Sequence, residues 1–178
     1  MKTMVIVAHP NLHASRANKA LAAALRGKPD ILVRDLYAEY PEWVIDIERE
    51  KSLLLQHDRI IFQFPFYWYS CPPLLKKWFD DVYTYGWAFG TGGDHLKGKE
   101  FGIATTIGGK EQDYQIGGGN WSTVEELLLP IRTTIVKCNG TYVPAFIVYG
   151  ADAADEDRLA AEAESYVGYV QSSAPKFA

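Results

Sequence analysis

The chain has 178 residues, 48% hydrophobic and 22% charged, enough to bury one sizeable core and to predict a single domain over residues 1–178. A formal net charge of −4 gives no general drive toward nucleic acid or an anionic membrane. The two cysteines, Cys71 and Cys138, make no CxxC or zinc spacing and fit a reducing cytoplasm better than a disulfide scaffold.

The opening MKTMVIVAHP has one lysine and too short an apolar run for a signal peptide, so it reads as a strand. No stretch approaches membrane-spanning length. Met4 to Ala8 is apolar and rich in valine and isoleucine, a buried strand broken by His9-Pro10-Asn11. A helix follows Ser15, because Ala17, Ala20, Leu21, Ala24 and Leu25 recur at helical spacing; Gly27 and Pro29 stop it. Ile31 to Leu36 predicts a second strand, Tyr37 to Ile47 a connection, Glu48 to His57 a helix and Asp58 to Phe64 a third strand. Pro72-Pro73 opens a helix carrying Leu74, Leu75, Trp78, Phe79 and Val82.

Phe101 to Thr106 is a fourth strand. Gly108-Gly109 and Gly117 to Gly119 mark a flexible loop. Val124, Leu127, Leu128, Ile131 and Ile135 give a helical face, interrupted or restarted at Pro130. Thr141 to Tyr149 predicts a fifth strand. Leu159, Ala163, Tyr166, Val167 and Val170 predict a last amphipathic helix, with a tail after Gln171 that frays. Strand then helix, repeated five times, predicts an α/β fold with a parallel sheet covered on both faces.

Chemistry gathers at three strand ends. The loop AHPNLHASRANKA leads from a strand into a helix, where backbone N–H groups can surround an anion. Ser15 offers a hydroxyl, Arg16 a charge and Asn18 an amide, although Ser15 also reads as a plain helix cap and His9 as an ordinary polar side chain. GxxxxGK[ST] and GxGxxG are both absent here. His9 and His13 lack the carboxylate or cysteine spacing of a metal site, so no metal is expected. In the second loop, Phe66, Tyr67, Trp68 and Tyr69 crowd after Pro65; they suit the wall of a flat heterocycle, or core and dimer contacts. In the third, Thr106 ends a strand and Gly108 and Gly109 permit close backbone approach or simply turn the chain. Tyr114 adds a phenol. In a doubly wound sheet these loops share the carboxyl edge, where a phosphorylated flat cofactor, foremost a flavin nucleotide, fits.

In order and spacing these segments resemble the flavodoxin-like NAD(P)H:quinone oxidoreductases. Within them the chain is similar to short bacterial members that include general stress proteins and ancillary subunits of glutathione-gated potassium efflux systems. The likeness rests on AHP at Ala8 to Pro10, SRAN at Ser15 to Asn18, FPFYWYSCPPLLKKWFDDV at Phe64 to Val82, GWAFG at Gly86 to Gly90 and TIGG at Thr106 to Gly109. It implies a flavodoxin-like five-stranded parallel sheet with helices on both faces and a NAD(P)H dehydrogenase (quinone) working by ping-pong hydride transfer.

The resemblance also implies roles. His9, Ser15, Arg16, Ala17 and Asn18 would bind flavin phosphate. Pro65, Phe66, Tyr67, Trp68 and Tyr69 would border the ring, and Thr106, Ile107, Gly108 and Gly109 its other polar edge, with backbone donation surviving at Ile107. Tyr114 falls where mammalian-type quinone reductases carry a catalytic tyrosine; their histidine six residues later is Asn120 here. FMN is favoured, with FAD the alternative. Such relatives are homodimers, and Tyr83, Tyr85, Trp87 and Phe89 would form a partner-facing wall along an extended segment. The competing readings are an ancillary subunit making peripheral contact with a membrane transporter, and a single-electron flavodoxin carrier.

Overall fold

A computed structural model describes residues 1–172. The chain runs β1 (Thr3–Val7), α1 (Ala17–Leu25), β2 (Ile31–Asp35), α2 (Leu36–Glu39), α3 (Ile47–Gln56), β3 (Arg59–Pro65) and α4 (Pro73–Val82). It continues β4 (Glu100–Thr106), α5 (Val124–Leu127), α6 (Leu129–Lys137), β5 (Thr141–Tyr142), β6 (Phe146–Val148) and α7 (Glu156–Gln171). All strand pairs are parallel, in the order β2-β1-β3-β4-β5, with β6 also on β4. Every residue of β1 and β3 is buried, as expected for central strands with helices on both faces.

Alternation along the strands builds two cores. Met4, Ile6, Phe62, Phe64 and Ile103 point one way, into Leu54, Trp78, Phe79 and Ile135 of α3, α4 and α6. Val5, Val7, Ile61 and Ala104 point the other way, into Leu21 and Leu25 of α1 and Tyr166 and Val170 of α7. Gly102 sits where β4 passes α7; a Cβ there would lie 2.4 Å from the Tyr169 hydroxyl. Among the described residues no helix is long and apolar enough to cross a membrane.

The fifth strand differs from its expected form. Val143 still donates to the Phe101 carbonyl at 2.8 Å, but Pro144 has no N–H to offer and the ladder breaks. Tyr142 stands opposite Phe101 and Phe146 opposite Ala104, so the edge chain uses one residue more than β4 does: a bulge. Periodicity cannot reveal such a bulge, and the single predicted strand becomes β5 and β6. The 37–47 connection also contains a turn of helix, because the Asp35 carboxylate accepts from the Tyr37 and Ala38 N–H groups at 3.2 Å. The helical face from Val124 does restart at Pro130, as α5 then α6. Beyond Ser172, the frayed-tail expectation lies outside the described residues.

One ionic cluster is sealed inside. Glu50, fully buried, receives Arg34 Nη1 and Nη2 at 2.7 Å, Trp78 Nε1 at 2.8 Å and the Tyr40 hydroxyl. Burial alone would raise the Glu50 carboxyl pKa, but Arg34 and Tyr40 outweigh it and hold the group below 4.5. Burial and Glu50 push the Tyr40 phenol up to about 12. Replacing Glu50 by Ala leaves Arg34 with Glu39 as its remaining carboxylate and removes the buried acceptor of Trp78 Nε1 and the Tyr40 hydroxyl, which should cost about 3–5 kcal/mol in urea unfolding. Because the folded value is depressed, Glu50's contribution is full above pH 4.5 and is lost as pH falls through the lower folded value. The variant's stability should therefore fall less steeply in that acid window.

Candidate functional site

Register sets the site. Val7 pairs with Gln63, Pro65 with Thr106 and Thr106 with Val148, so the chain leaves β1, β3, β4 and β6 along one edge. A cleft of about 430 Å³ opens there. The sequence-predicted residues His9, Ser15, Arg16, Ala17, Asn18, Pro65, Phe66, Tyr67, Thr106 and Gly108 line it. Trp68, Tyr69, Ile107, Gly109 and Tyr114 stand outside that lining.

The first wall is the turn into α1. His9 Nδ1 accepts the Asn11 N–H at 3.0 Å, so the ring proton sits on Nε2. Burial lowers the His9 pKa, partly offset by Asp35, and the ring is neutral at pH 7. It can donate to an anion but brings no charge. Asn11 Oδ1 accepts from the Ala14 N–H and Ser15 Oγ from the Asn18 N–H, both at 3.2 Å. Among the described residues, the backbone N–H groups of Arg16 and Ala17 have no acceptor. They are the orphan donors of a nine-residue helix and they edge the cleft. Arg16 meets Glu156 at 3.1 Å, half in solvent.

Asn18 has a structural part besides the one expected of it. Its Nδ2 donates to Thr106 Oγ1 at 2.7 Å, and Gln63 Nε2 donates to its carbonyl at 2.9 Å and its Oδ1 at 3.2 Å. The residue is 1% exposed, with one of its two Nδ2 protons and its Oδ1 engaged inside the protein. It lines the cleft and also braces it, tying α1 to β3 and β4.

The second wall is a tight turn. Tyr67 and Ser70 exchange N–H···O bonds at 3.0 and 2.9 Å, leaving Trp68 and Tyr69 at its tip with φ of 46° and 62°. Both are left-handed, which costs a residue with a Cβ about 1–3 kcal/mol. The Phe66 N–H donates to the Thr106 carbonyl at 2.9 Å. Of the expected backbone donors from Phe66 to Tyr69, those of Trp68 and Tyr69 are the ones with no partner among the described residues. Trp68 is 92% exposed.

The third wall follows β4. Ile107 is buried, its N–H donates to the Val148 carbonyl at 2.8 Å and its carbonyl accepts from Ala151 at 2.9 Å. The expectation that its backbone donates to a ligand is therefore overturned: strand geometry has used that donor. A Cβ on Gly108 would fall 2.3 Å from Asp152 Oδ2, and one on Gly109 3.0 Å from the Tyr114 ring. Tyr114 stands edge-on to Phe66 at 6.0 Å and against Tyr149. Burial raises its phenol pKa, so it keeps its proton at pH 7.

Asn11, Ala14, Ala151 and Asp152 also line the cleft and were missed. The last two follow β6, where Gly150 (φ 60°) donates to the Gly109 carbonyl at 2.8 Å. The signal was present: the strand-end rule applied to three strands applies equally to the fourth, with Gly150-Ala151-Asp152 at its tip. Two further corrections concern the 83–89 segment. It is a tight turn, with Ala88 N–H on the Thr84 carbonyl at 2.9 Å and Gly86 N–H on Phe89 at 2.8 Å. Tyr83 is buried, Tyr85 exposed and Trp87 stacked on His95, so the four aromatics do not form one face. Among the described residues no cluster of three or more His, Cys, Asp or Glu could hold a metal ion.

A family model described as flavodoxin-like fold matches residues 1–170, and the chain belongs to that family. It is 48% identical over 96% of its length to the uncharacterized NAD(P)H oxidoreductase YdeQ of Bacillus subtilis, covering 86% of that protein. It is 40% identical to the glutathione-regulated potassium-efflux ancillary protein KefG of Yersinia pestis, over 96% of this chain and 94% of that one. Among solved structures, general stress protein 14 of Treponema denticola in complex with FMN superposes with a TM-score of 0.91 at 39% identity, covering 96% and 98% of the two chains. An NADPH-quinone reductase of P. pentosaceus gives 0.85 at 34%, with coverage of 96% and 98%. A structure described as a tryptophan halogenase from Streptomycin violaceusniger gives 0.94 at 48%, covering 96% and 99%; that description stands apart from the names of the others.

The geometry at His9 has a measurable consequence. In an NMR titration of the apoprotein its imidazole should titrate below the ordinary 6.5, with Nε2 carrying the proton above that pH. A titration at or above 6.5 would contradict the buried, accepting Nδ1.

Proposed function

We propose that the chain is an FMN-dependent NAD(P)H:quinone oxidoreductase. The observation that carries this reading is the meeting in one cleft of two unpaired N–H groups at the start of α1, an aromatic wall at Phe66 and Tyr67, and Gly108, which brings bare backbone to the lining. The residues present fit a flavin nucleotide: an anion end, a flat apolar flank and a backbone edge. The FMN bound by the Treponema relative favours FMN over FAD.

Bound there, FMN would take hydride from NAD(P)H and, after the oxidised nicotinamide leaves, pass reducing equivalents to a quinone, a ping-pong scheme. The protein's part is binding and proton control. Arg16, the Arg16 and Ala17 N–H groups, Ser15 and the neutral His9 Nε2–H hold the phosphate. Pro65, Phe66 and Tyr67 flank the ring, with Gly108 at its edge. Tyr114 keeps a protonated phenol beside Phe66, available to donate to an acceptor oxygen.

A homodimer belongs to the same reading. An apolar groove of about 530 Å³ between α4 and α6, lined by Phe79, Tyr83, Phe89 and Ile131, supports it. The likeness to KefG supports a second reading, a regulatory subunit docked on a membrane transporter. Restored transport on adding the chain to a potassium efflux antiporter, with no effect of quinone, would favour that one.

The decisive test is to identify the protein's bound yellow cofactor by mass and mix the holoprotein anaerobically with NADPH, then quinone. Visible absorbance should bleach in the first mixing and return in the second; no bleaching by NADPH or NADH would end the enzyme reading. Replacing Arg16 by Ala should weaken FMN about fivefold, the scale of one half-exposed charge, and leave riboflavin, which lacks the phosphate, unaffected. Replacing Tyr114 by Phe should retain FMN and slow the acceptor half-reaction by about tenfold or more.

A further inference from the structure

The aromatic turn and the glycine loop touch twice. The inner contact is Tyr114 against Phe66. The outer contact is one hydrogen bond between residues 51 apart in sequence: Tyr69 Oη donates to Asn120 Oδ1 at 3.1 Å. Either orientation of the carboxamide keeps this bond, because a phenol can donate or accept.

Each partner comes from a segment with its own backbone ties. Tyr69 sits left-handed at the tip of a turn closed by the Tyr67–Ser70 bonds. Asn120 caps a loop folded on itself: its N–H donates to the Asp113 carbonyl at 2.8 Å, and Asp113 Oδ2 accepts from the Lys110 N–H at 3.3 Å. Tyr114, inside that loop, anchors its root. The loop expected to be flexible is thus bonded within itself and hinged against the aromatic wall. The bond that closes the outer end is exposed, so its net worth is modest.

The side chain matters chemically. Mammalian-type quinone reductases resembling this chain carry histidine at the position of Asn120. A carboxamide cannot take up a proton at neutral pH, so position 120 has no acid–base part here. We propose that Asn120 is a positioning residue that clasps Tyr69 across the mouth of the cleft and thereby limits the width of the acceptor that enters. This rests on the reading of the cleft as a redox site.

Four variants test it: Asn120→Ala, Tyr69→Phe, the double variant and Asn120→Asp, whose carboxylate can accept the same phenol proton. In FMN-loaded protein, the ratio of kcat/KM for a three-ring quinone to that for benzoquinone should rise about threefold to tenfold in either single loss variant. It should rise no further in the double variant, and Asn120→Asp should restore it. Additive effects, or an unchanged ratio, would overturn the clasp. Hydrogen exchange on the apoprotein reads the same contact without turnover. Amides of 66–70 and 111–121 should exchange faster together in both single variants. Faster exchange confined to 111–121 in Asn120→Ala and absent in Tyr69→Phe would reduce Asn120 to a brace of its own loop. If wild-type protein binds no flavin, the functional reading fails, while the exchange experiment still decides whether the clasp exists.

Discussion

The buried amide of Asn18 is the tie on which the site's geometry depends. It joins the first turn of α1 to the end of β4 through Thr106 Oγ1, and to β3 through Gln63. Each of these groups is buried, and an unmet polar group there would cost a few kcal/mol, so the three elements hold one relative position. That position sets the distance from the orphan N–H groups of Arg16 and Ala17 to Phe66 and Gly108. The anion end and the flat end of the cleft are therefore fixed by a polar tie beneath them and not by the loops that line them.

Two electrostatic regimes sit on either side of the sheet's carboxyl edge. Behind it, Arg34 and Glu50 neutralise each other among Tyr40 and Trp78. At the edge itself, charge is sparse: His9 is kept neutral by burial, Tyr114 keeps its proton, and Arg16 and Asp152 are the charged side chains in the lining. On the proposed reading, the phosphate is drawn mainly by backbone dipoles at the start of α1 and not by a crowd of side-chain charges.

Much of the fold was legible because its signals are local. Runs such as Val5 to Ala8 can only be central strands, and the spacing of Leu74, Leu75, Trp78, Phe79 and Val82 can only be one face of a helix. The ten lining residues came from the strand-end rule plus the resemblance. What escaped was set by partners distant in sequence. The bracing part of Asn18 was hidden because Thr106 is 88 residues away. Ile107 looked able to donate because its acceptor, Val148, belongs to a strand whose register a bulge displaces. Asp152 had a signal of its own, its place just beyond a strand end, but its packing over Gly108 joins residues far apart in sequence. Tyr83 to Phe89 alternates like a strand, but backbone bonds at Thr84 and Gly86 curl it.

The break at Pro144 has a consequence for how two copies can meet. β5 and β6 form one border of the sheet, and a continuous border strand is a template on which another molecule can add its own. Here that border is a two-residue piece, a proline and a three-residue piece, out of step by one position. An incoming strand would lose its bonds at the kink and face the wrong side chains beyond it. Sheet extension is thereby disfavoured along this border, and β2 is left as the sheet's unbroken edge.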